Sequence, residues 1–366
     1  MSHAKLSPSS AERWMVCPGS VPLSEGMPEK SSPFAEEGTQ AHALAEMLLS
    51  TSPGTMDVPQ GMLDNVMVYV EYIRGILKEH PDAVLMVEQR VRVNDVVYGT
   101  ADAVIWIPSK NILIVADLKF GAGVAVEVRG NLQLKIYALA ALLTFGYPAI
   151  KVTATIVQPR CPHTDGPIRS VVYDSIDLLD FHADIEEAVG RVDHATKAND
   201  ILPHLTANEK GCRWCLAAPK CPLLRQKAQS MAKQAFAPGL PYDAKALAET
   251  LDFLPILEGW IKNTREFAYS EAERGTTIPS WKLVEKRATR KWRDENAAAS
   301  ALSAAGVDCW EKKLITPAVA EKALLKDQRG LLDELTVKES SGHTLVHESD
   351  KRPAVKVDAK SAFANA

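Results

Sequence analysis

The run Ile112-Leu113-Ile114-Val115-Ala116 ends on Asp117-Leu118-Lys119, and this ending restricts the fold more than any other feature of the chain. Apolar residues in such a run form a strand buried on both faces. A buried strand should not close on a carboxylate and an ammonium without a use for them, because unpaired charge is costly to bury. Alternate residues of a strand share a face, so Asp117 and Lys119 reach one point while Leu118 packs behind. A second strand-like run, just before it, carries Asp102. Two acids and a lysine meeting at strand ends describe a place for a divalent cation beside a phosphate.

Helical spacing covers Gly38 to about Leu49, with Ala41, Leu44, Ala45 and Leu48 on one face, and again about 61–79. Three strands follow: Val84 to Val93, Val96 to Ile107 and Asn111 to Lys119, with turns at Asn94-Asp95 and Pro108-Ser109-Lys110. Asn131 to Leu143 reads as helix, Lys151 to Gln158 as strand, and Ser175 to about Asn199 as a long amphipathic helix. Ser9-Ser10-Ala11-Glu12 reads as a capping box opening a short helix that leads to Cys17-Pro18. This order predicts an α/β core, a mixed central sheet flanked by helices. Ala237-Pro238-Gly239-Leu240-Pro241 suggests a linker. The expected domains are thus a core over 1–226, a linker over 227–240, a mainly helical accessory region over 241–352 and a mobile tail over 353–366.

Hydrophobic residues make up 46% of the 366 positions, enough to bury a full core over two or three domains. Net charge is −4, which excludes a generally basic nucleic-acid binder and confines such binding to a local patch. Residues 1–226 hold 20 basic and 26 acidic side chains, residues 227–366 hold 22 and 20, so the positive excess lies in the second part. Trp281 to Arg293 concentrates six basic residues against one acid. Lys286, Arg287, Arg290 and Lys291 are the candidate phosphate contacts there, with a solvated strand pair as the alternative. No apolar stretch approaches the ~20 residues of a membrane span. The first residues lack an apolar signal segment, so a cytoplasmic location is expected and no membrane partner.

Cys212-Arg213-Trp214-Cys215, followed by Cys221, forms a C-x2-C-x5-C cluster, with Cys17 far upstream. Four thiolates can complete a tetrahedral zinc site or hold an iron–sulfur cluster, and spacing alone does not choose between them. Either would clasp the N-terminal helix to the end of the core, closing a loop that is entropically expensive to close unaided. Cys161 and Cys309 have no such partners and read as ordinary buried thiols.

Taken in order, these motifs resemble the RecB-like branch of the PD-(D/E)XK nuclease superfamily. More narrowly, the chain is similar to its iron–sulfur members: the CRISPR-associated RecB-like exonucleases, the AddB-type nuclease domain and phage proteins of that kind. Glu37-Gly38-Thr39-Gln40-Ala41-His42 is similar to the family's histidine motif, and Gly99-Thr100-Ala101-Asp102 to its first acidic motif. Asp117-Leu118-Lys119 is similar to the second acidic motif, and Gln133-Leu134-Lys135-Ile136-Tyr137 to the Q-x3-Y helix. Cysteines bracket all four in the family's order, over about residues 8–226.

The resemblance implies a restriction-endonuclease-like core and a DNA exonuclease serving recombination, repair or phage replication, in the bacterial host cytoplasm if phage-encoded. Asp102 and Asp117 would be hard oxygen ligands for Mg²⁺ or Mn²⁺, and His42 a nitrogen ligand. The backbone carbonyl of Leu118 would add another ligand, by the resemblance alone. Lys119 would orient water or offset developing charge. Gln133 and Tyr137, at i and i+4, share a helix face and are candidate contacts to the scissile strand. Cys17, Cys212, Cys215 and Cys221 would hold a structural [4Fe–4S] cluster, with Zn²⁺ as the alternative. Glu88 is a further acidic candidate, against a salt bridge to Arg90 or Arg92. The expected partner is DNA, as single strands or duplex ends. No G-x4-G-K-[S/T] loop is present, so any unwinding would fall to a separate helicase or single-strand-binding protein. The rival reading is a non-catalytic nucleic-acid-binding or scaffold protein with the same fold.

Overall fold

The computed structural model describes residues 4–27, 33–50, 54, 56–235, 244–309, 316–324, 328–339, 343–347 and 352–355. Contacts divide the chain into two units, Met1–Ile261 and Lys262–Ala366. The first is built on a five-stranded sheet in sequence order: β1 (Val84–Arg92), β2 (Tyr98–Ile107), β3 (Ile112–Leu118), β4 (Lys151–Val157) and β5 (Ile168–Asp174). The β3–β4 pair is parallel and the other three are antiparallel, giving the mixed sheet expected.

The sheet is covered on both faces. Helices α1 (Ala11–Trp14), α5 (Leu132–Phe145) and α6 (Ser175–Lys197) pack Trp14, Leu139 and Ile185 against Val104, Leu113 and Val115. On the other face, α3 (Pro33–Leu49) and α4 (Gln60–Glu79) bring Leu44, Val66 and Ile73 against Ile105, Ile114 and Leu118. Successive β3 residues therefore alternate between two cores, which is why its sequence is a continuous apolar run rather than a polar–apolar alternation. Each fully buried Leu or Ile contributes about 1.5–3 kcal/mol. Tyr69 fastens α4 to β3 by donating from its hydroxyl to the Ala116 carbonyl, 3.2 Å away.

Helix α5 has a clear start and stop. The Asn131 side chain accepts from the Leu134 N–H at 3.0 Å, and Gly146 ends the helix at φ 62°, where other residues are strained. The start matters for function because it sets Gln133 in the first turn, level with the end of β3.

Several expectations change. The capping box at Ser9–Glu12 does not form: Pro8–Ser10 is a short 3₁₀ turn, and the Ser10 hydroxyl donates back to the Ser7 carbonyl rather than capping. Strand β5 was not anticipated. Where the linker was expected to begin, α8 (Pro222–Ala235) continues through 227–235, as its Gln, Lys, Ala and Met residues favour; residues 236–243 lie outside the described set. Within the expected tail, the Val355 N–H donates to the Leu283 carbonyl at 2.8 Å, and residues 356–366 lie outside the described set.

Short helices α2 (Ser20–Ser24) and α7 (Glu209–Arg213) complete the first unit, with the first part of α9 (Ala244–Glu273). The second unit contains the rest of α9, β6 (Trp281–Glu285), β7 (Thr289–Trp292), α10 (Glu295–Ala304), α11 (Pro317–Ala323), α12 (Leu331–Leu335), β8 (Thr336–Glu339) and β9 (His343–His347). To the helices expected there it adds two small sheets. The basic segment is indeed two strands, but β6 pairs with β9 and β7 with β8, so they do not pair with each other.

Candidate metal and catalytic site

The antiparallel register sets Ala103 opposite Ala116, so Asp102 and Asp117 lie at the same end of β2 and β3. By strand alternation Asp117 points to the α5 face with Val115, whereas alternation breaks around Asp102, where Ala101 and Ala103 lie in opposite cores. Asp102 is held by its backbone neighbour: its Oδ2 accepts the Leu118 N–H at 2.7 Å. Its other oxygen, Oδ1, lies 3.3 Å from His42 Nδ1 of α3. Glu88 of β1 joins them, so that ligand atoms of His42, Glu88 and Asp102 all lie within 4.8 Å of one another. Among the described residues this is the one such group of three His, Cys, Asp or Glu side chains.

Glu88 reaches this point through a break in its strand. Val87 pairs with Ala103 and Gln89 with Ala101, while Glu88 sits at φ 49° and drops out of the ladder. A glutamate in the left-handed region is strained by roughly 1–3 kcal/mol, a cost that structures tolerate where function needs it. Arg90, one of its expected salt-bridge partners, instead stacks over the Tyr98 ring at 4.3 Å. Burial, then the negative charge of Asp102, push the Glu88 carboxyl up to about 7.

Asp117 and Lys119 meet as the strand geometry predicts. Lys119 Nζ donates to Asp117 Oδ1 at 3.2 Å and lies 3.0 Å from Oδ2. Gln133 closes a triangle, accepting from Lys119 at 3.1 Å and donating to Asp117 Oδ1 at 3.3 Å. Asp117 Oδ2 is buried and faces the Lys119 ammonium as an ion pair without hydrogen-bond geometry. Burial raises the Asp117 pKa, with the Lys119 charge opposing it. For His42 burial disfavours the cation, but the hydrogen bond and charge of Asp102 outweigh it and raise the pKa. A hard divalent cation fits this donor set: clustered oxygens, one imidazole nitrogen, and an undersatisfied carboxylate beside them.

The remaining candidates fall in several places. Leu118 meets Asp102 through its amide N–H. Tyr137 is packed in the core, and a Cβ added at Gly99 would come 3.0 Å from its hydroxyl, so the glycine of the first acidic motif makes room for the tyrosine. Lys286, Arg287, Arg290 and Lys291 belong to the second unit; Arg290 is paired with Glu321, while Lys286, Arg287 and Lys291 are exposed. Arg160 was not singled out from sequence. It pairs with Glu37 of the histidine motif at 2.7 Å and lies over the Phe120 ring at 4.6 Å, tying α3 to the segment after Lys119.

Cys17, Cys212, Cys215 and Cys221 line one cavity with Leu205, Ala218 and Leu224. The segments that carry them are closely joined. The Gly19 N–H donates to the His204 carbonyl at 2.9 Å, and a Cβ at Gly211 would come 3.0 Å from the Glu12 carbonyl. Cys17 Sγ accepts the Thr206 N–H at 3.3 Å. Burial, first, and the neighbouring sulfurs push the Cys212 thiol up to about 11. No three of these sulfurs lie within 4.8 Å of one another, so the four thiols share the cavity without being gathered into a ligand group. Cys161 and Cys309 are buried elsewhere.

Over residues 3–353 the chain matches the family described as "Protein of unknown function (DUF2800)", and it belongs to that family. Among solved structures, SSO0001 is similar at 16% identity, with 61% of this chain and 87% of that one covered and a TM-score of 0.30. A protein from Eubacterium rectale described as "Putative exonuclease" is similar at 10% identity, with 53% and 82% covered and a TM-score of 0.32.

Proposed function

We propose that this member of the DUF2800 family is a metal-dependent deoxyribonuclease, an exonuclease acting on DNA single strands or duplex ends. The observation that carries the reading is the convergence of His42, Glu88 and Asp102 within 4.8 Å, beside the Asp117–Lys119 pair. His42, Glu88 and Asp102 would hold Mg²⁺ or Mn²⁺, with Asp117 adjoining and the Leu118 carbonyl as a further ligand. Bound there, the ion would supply Lewis acidity and lower the pKa of a coordinated water. Lys119 would place its ammonium against the phosphate oxygens, and Gln133 holds that ammonium in position. Tyr137 would act from the core, supporting the helix turn of Gln133. In the second unit, exposed Lys286, Arg287 and Lys291 would make sequence-independent phosphate contacts.

For the four cysteines we infer a structural metal clasp, an iron–sulfur cluster with Zn²⁺ as the alternative. Its support is the shared cavity and the close joining of the segments on either side. A cytoplasmic role in DNA recombination or repair, beside a separate helicase or single-strand-binding protein, completes the reading. No described helix is long and apolar enough to cross a membrane.

The deciding experiment is cleavage of end-labelled single- and double-stranded DNA by anaerobically purified protein with Mn²⁺, Mg²⁺ or chelator. Metal-dependent shortening from the ends supports the proposal; intact DNA in every lane rejects it. One observation favours the non-catalytic reading: Lys119, Asp117 and Gln133 already satisfy much of one another. Intact DNA with retained DNA binding would select that reading.

A further inference from the structure

The Trp214 indole is 72% exposed, although the backbone that carries it is fixed. It follows α7, whose start Asn208 caps by accepting the Gly211 N–H at 2.6 Å. The Trp214 carbonyl accepts from Arg13 Nη1 at 3.5 Å, and the Ala218 N–H closes the next turn by donating to the Cys215 carbonyl at 3.1 Å. An indole held out in water forgoes the large apolar burial that this side chain ordinarily gains.

Its surroundings single it out. From Lys210 to Ala235 the chain has six basic residues, Lys210, Arg213, Lys220, Arg225, Lys227 and Lys233, and no acidic one. All six are exposed. Residues 1–209, by contrast, hold 16 basic and 26 acidic side chains. Lys210 lies 3.8 Å from Glu12 and Arg213 3.2 Å from Glu209, and exposed pairs of that kind are weak enough to yield to a multivalent anion. Lys227 leans over the Phe253 ring at 5.3 Å. Phe34 and Ile176 are as exposed as Trp214, but acids flank them, Glu36 and Glu37 at one and Asp174 and Asp177 at the other.

An aromatic face among cations fits a partner that combines flat apolar surfaces with repeated negative charge, which is the chemistry of an unpaired nucleic-acid strand. A second copy of this chain meeting here would set the basic run against itself, like charge on like. We propose that α7, the Trp214 turn and α8 form a binding surface for single-stranded DNA, on which Trp214 stacks against a base while Lys210, Arg213, Arg225 and Lys233 meet phosphates. The choice of DNA rests on the nuclease reading above. None of these residues belongs to the metal site, so the surface holds a strand without cutting it. About 12 Å of helix rise separates Arg225 from Lys233, which lets the two meet different phosphates.

The test measures binding of a short fluorescein-labelled oligothymidylate to the full chain by anisotropy, in chelator and over a range of salt, so that cleavage is not needed. Trp214→Ala should raise Kd about tenfold, the scale of one stacked base, and Trp214→Phe should stay close to wild type. Neither should change the salt dependence. Arg225→Ala combined with Lys233→Ala should lower the slope of log Kd against log salt by about 1.4, the share of two phosphate contacts on a single strand. The changed side chains are exposed, so Tm should hold. Should Trp214→Ala melt lower, Trp214→Leu, apolar but without a stacking face, takes its place. An unchanged Kd without the indole, or an unchanged salt slope in the double variant, overturns the surface. Polyglutamate of equal charge binding as tightly as the oligonucleotide would make an acidic protein the occupant, and overturns it too. Binding with these effects by a protein that cuts no DNA would sink the hydrolase reading and leave the surface standing.

Discussion

His42 Nδ1 lies 3.3 Å from Asp102 Oδ1, joining α3 to a carboxylate at the end of β2. The contact crosses the end of the sheet, where β1 is broken at Glu88 and β3 is about to leave the ladder. The main-chain hydrogen bond from Leu118 fixes the second oxygen of Asp102, so the carboxylate has one settled orientation before any ligand arrives.

That orientation makes Asp102→Asn informative. The amide oxygen can still accept the Leu118 N–H, so the fold should hold and Tm should move little. Metal-dependent cleavage should fall on the order of 100-fold or more. Mn²⁺, which should raise the Tm of the wild type, should no longer raise that of the variant. Full turnover by Asp102→Asn would show that the site is misplaced.

Without metal, the site should make the protein less stable as pH rises. Glu88 has a folded-state pKa near 7 against an ordinary 4.5, so the native state binds more protons between those values. Stability therefore declines across that window and stays low above it. His42 acts in the same direction: its pKa is raised in the fold, so its contribution is present at low pH and lost as pH passes through the raised value. Calorimetry in chelator should show Tm falling from pH 5 toward 8, with a smaller fall for Glu88→Gln. Mn²⁺ should remove much of the decline, because a bound cation offsets the negative charge that accumulates. A flat profile would mean that Glu88 is not buried against Asp102.

How much of this was legible in the sequence depends on what each residue faces. Strands β1 to β4 could be read because their apolar runs follow directly from burial on one or both sides, and Asp117 and Lys119 from their alternation. Strand β5 was missed because it is half solvated and breaks the usual code: Val172 is 55% exposed while Arg169 is buried. Glu88 was weighed only as a possible participant, since two arginines follow it in a strand pattern; its exit from the ladder is a backbone event with no local sequence signature. Arg160 and Gln158 act across long sequence separations, on Glu37 and on Gly121, and pairings of that kind cannot be extracted from one chain. The glycine of the first acidic motif was read as part of a pattern, whereas its physical reason is the Tyr137 ring beside it.

Lys119 supports both stability and chemistry, and a pair of variants separates the two. Lys119→Met leaves the Asp117 carboxylate, 8% exposed, without its cation, which should cost roughly 2–3 kcal/mol in urea unfolding and end cleavage. Adding Asp117→Asn removes the stranded charge, so most of the lost stability should return while cleavage stays absent. The coupling between the two changes measures the pair directly. Additive losses of stability would mean that the two groups are not in contact, and cleavage by the double variant would remove them from the mechanism.

The cysteine clasp predicts a loss of stability and not of chemistry. Cys17 and Cys215 belong to segments far apart in sequence, and their shared cavity is lined by Cys17, by Ser20 and Leu23 of α2 and by the 205–224 stretch. A metal bound there would close a long loop, so Cys215→Ser should lower stability by about 2–4 kcal/mol, the scale of a covalent cross-link. Elemental analysis should find iron and acid-labile sulfide, or alternatively zinc, in the wild type and much less in the variant. Brown colour with visible absorbance distinguishes the first case from the second. Residual protein that does fold should keep its kcat, since the thiols hold segments together and touch no substrate. Unchanged melting of Cys215→Ser, with metal content at background in both proteins, would mean that the four sulfurs share a cavity merely as buried thiols.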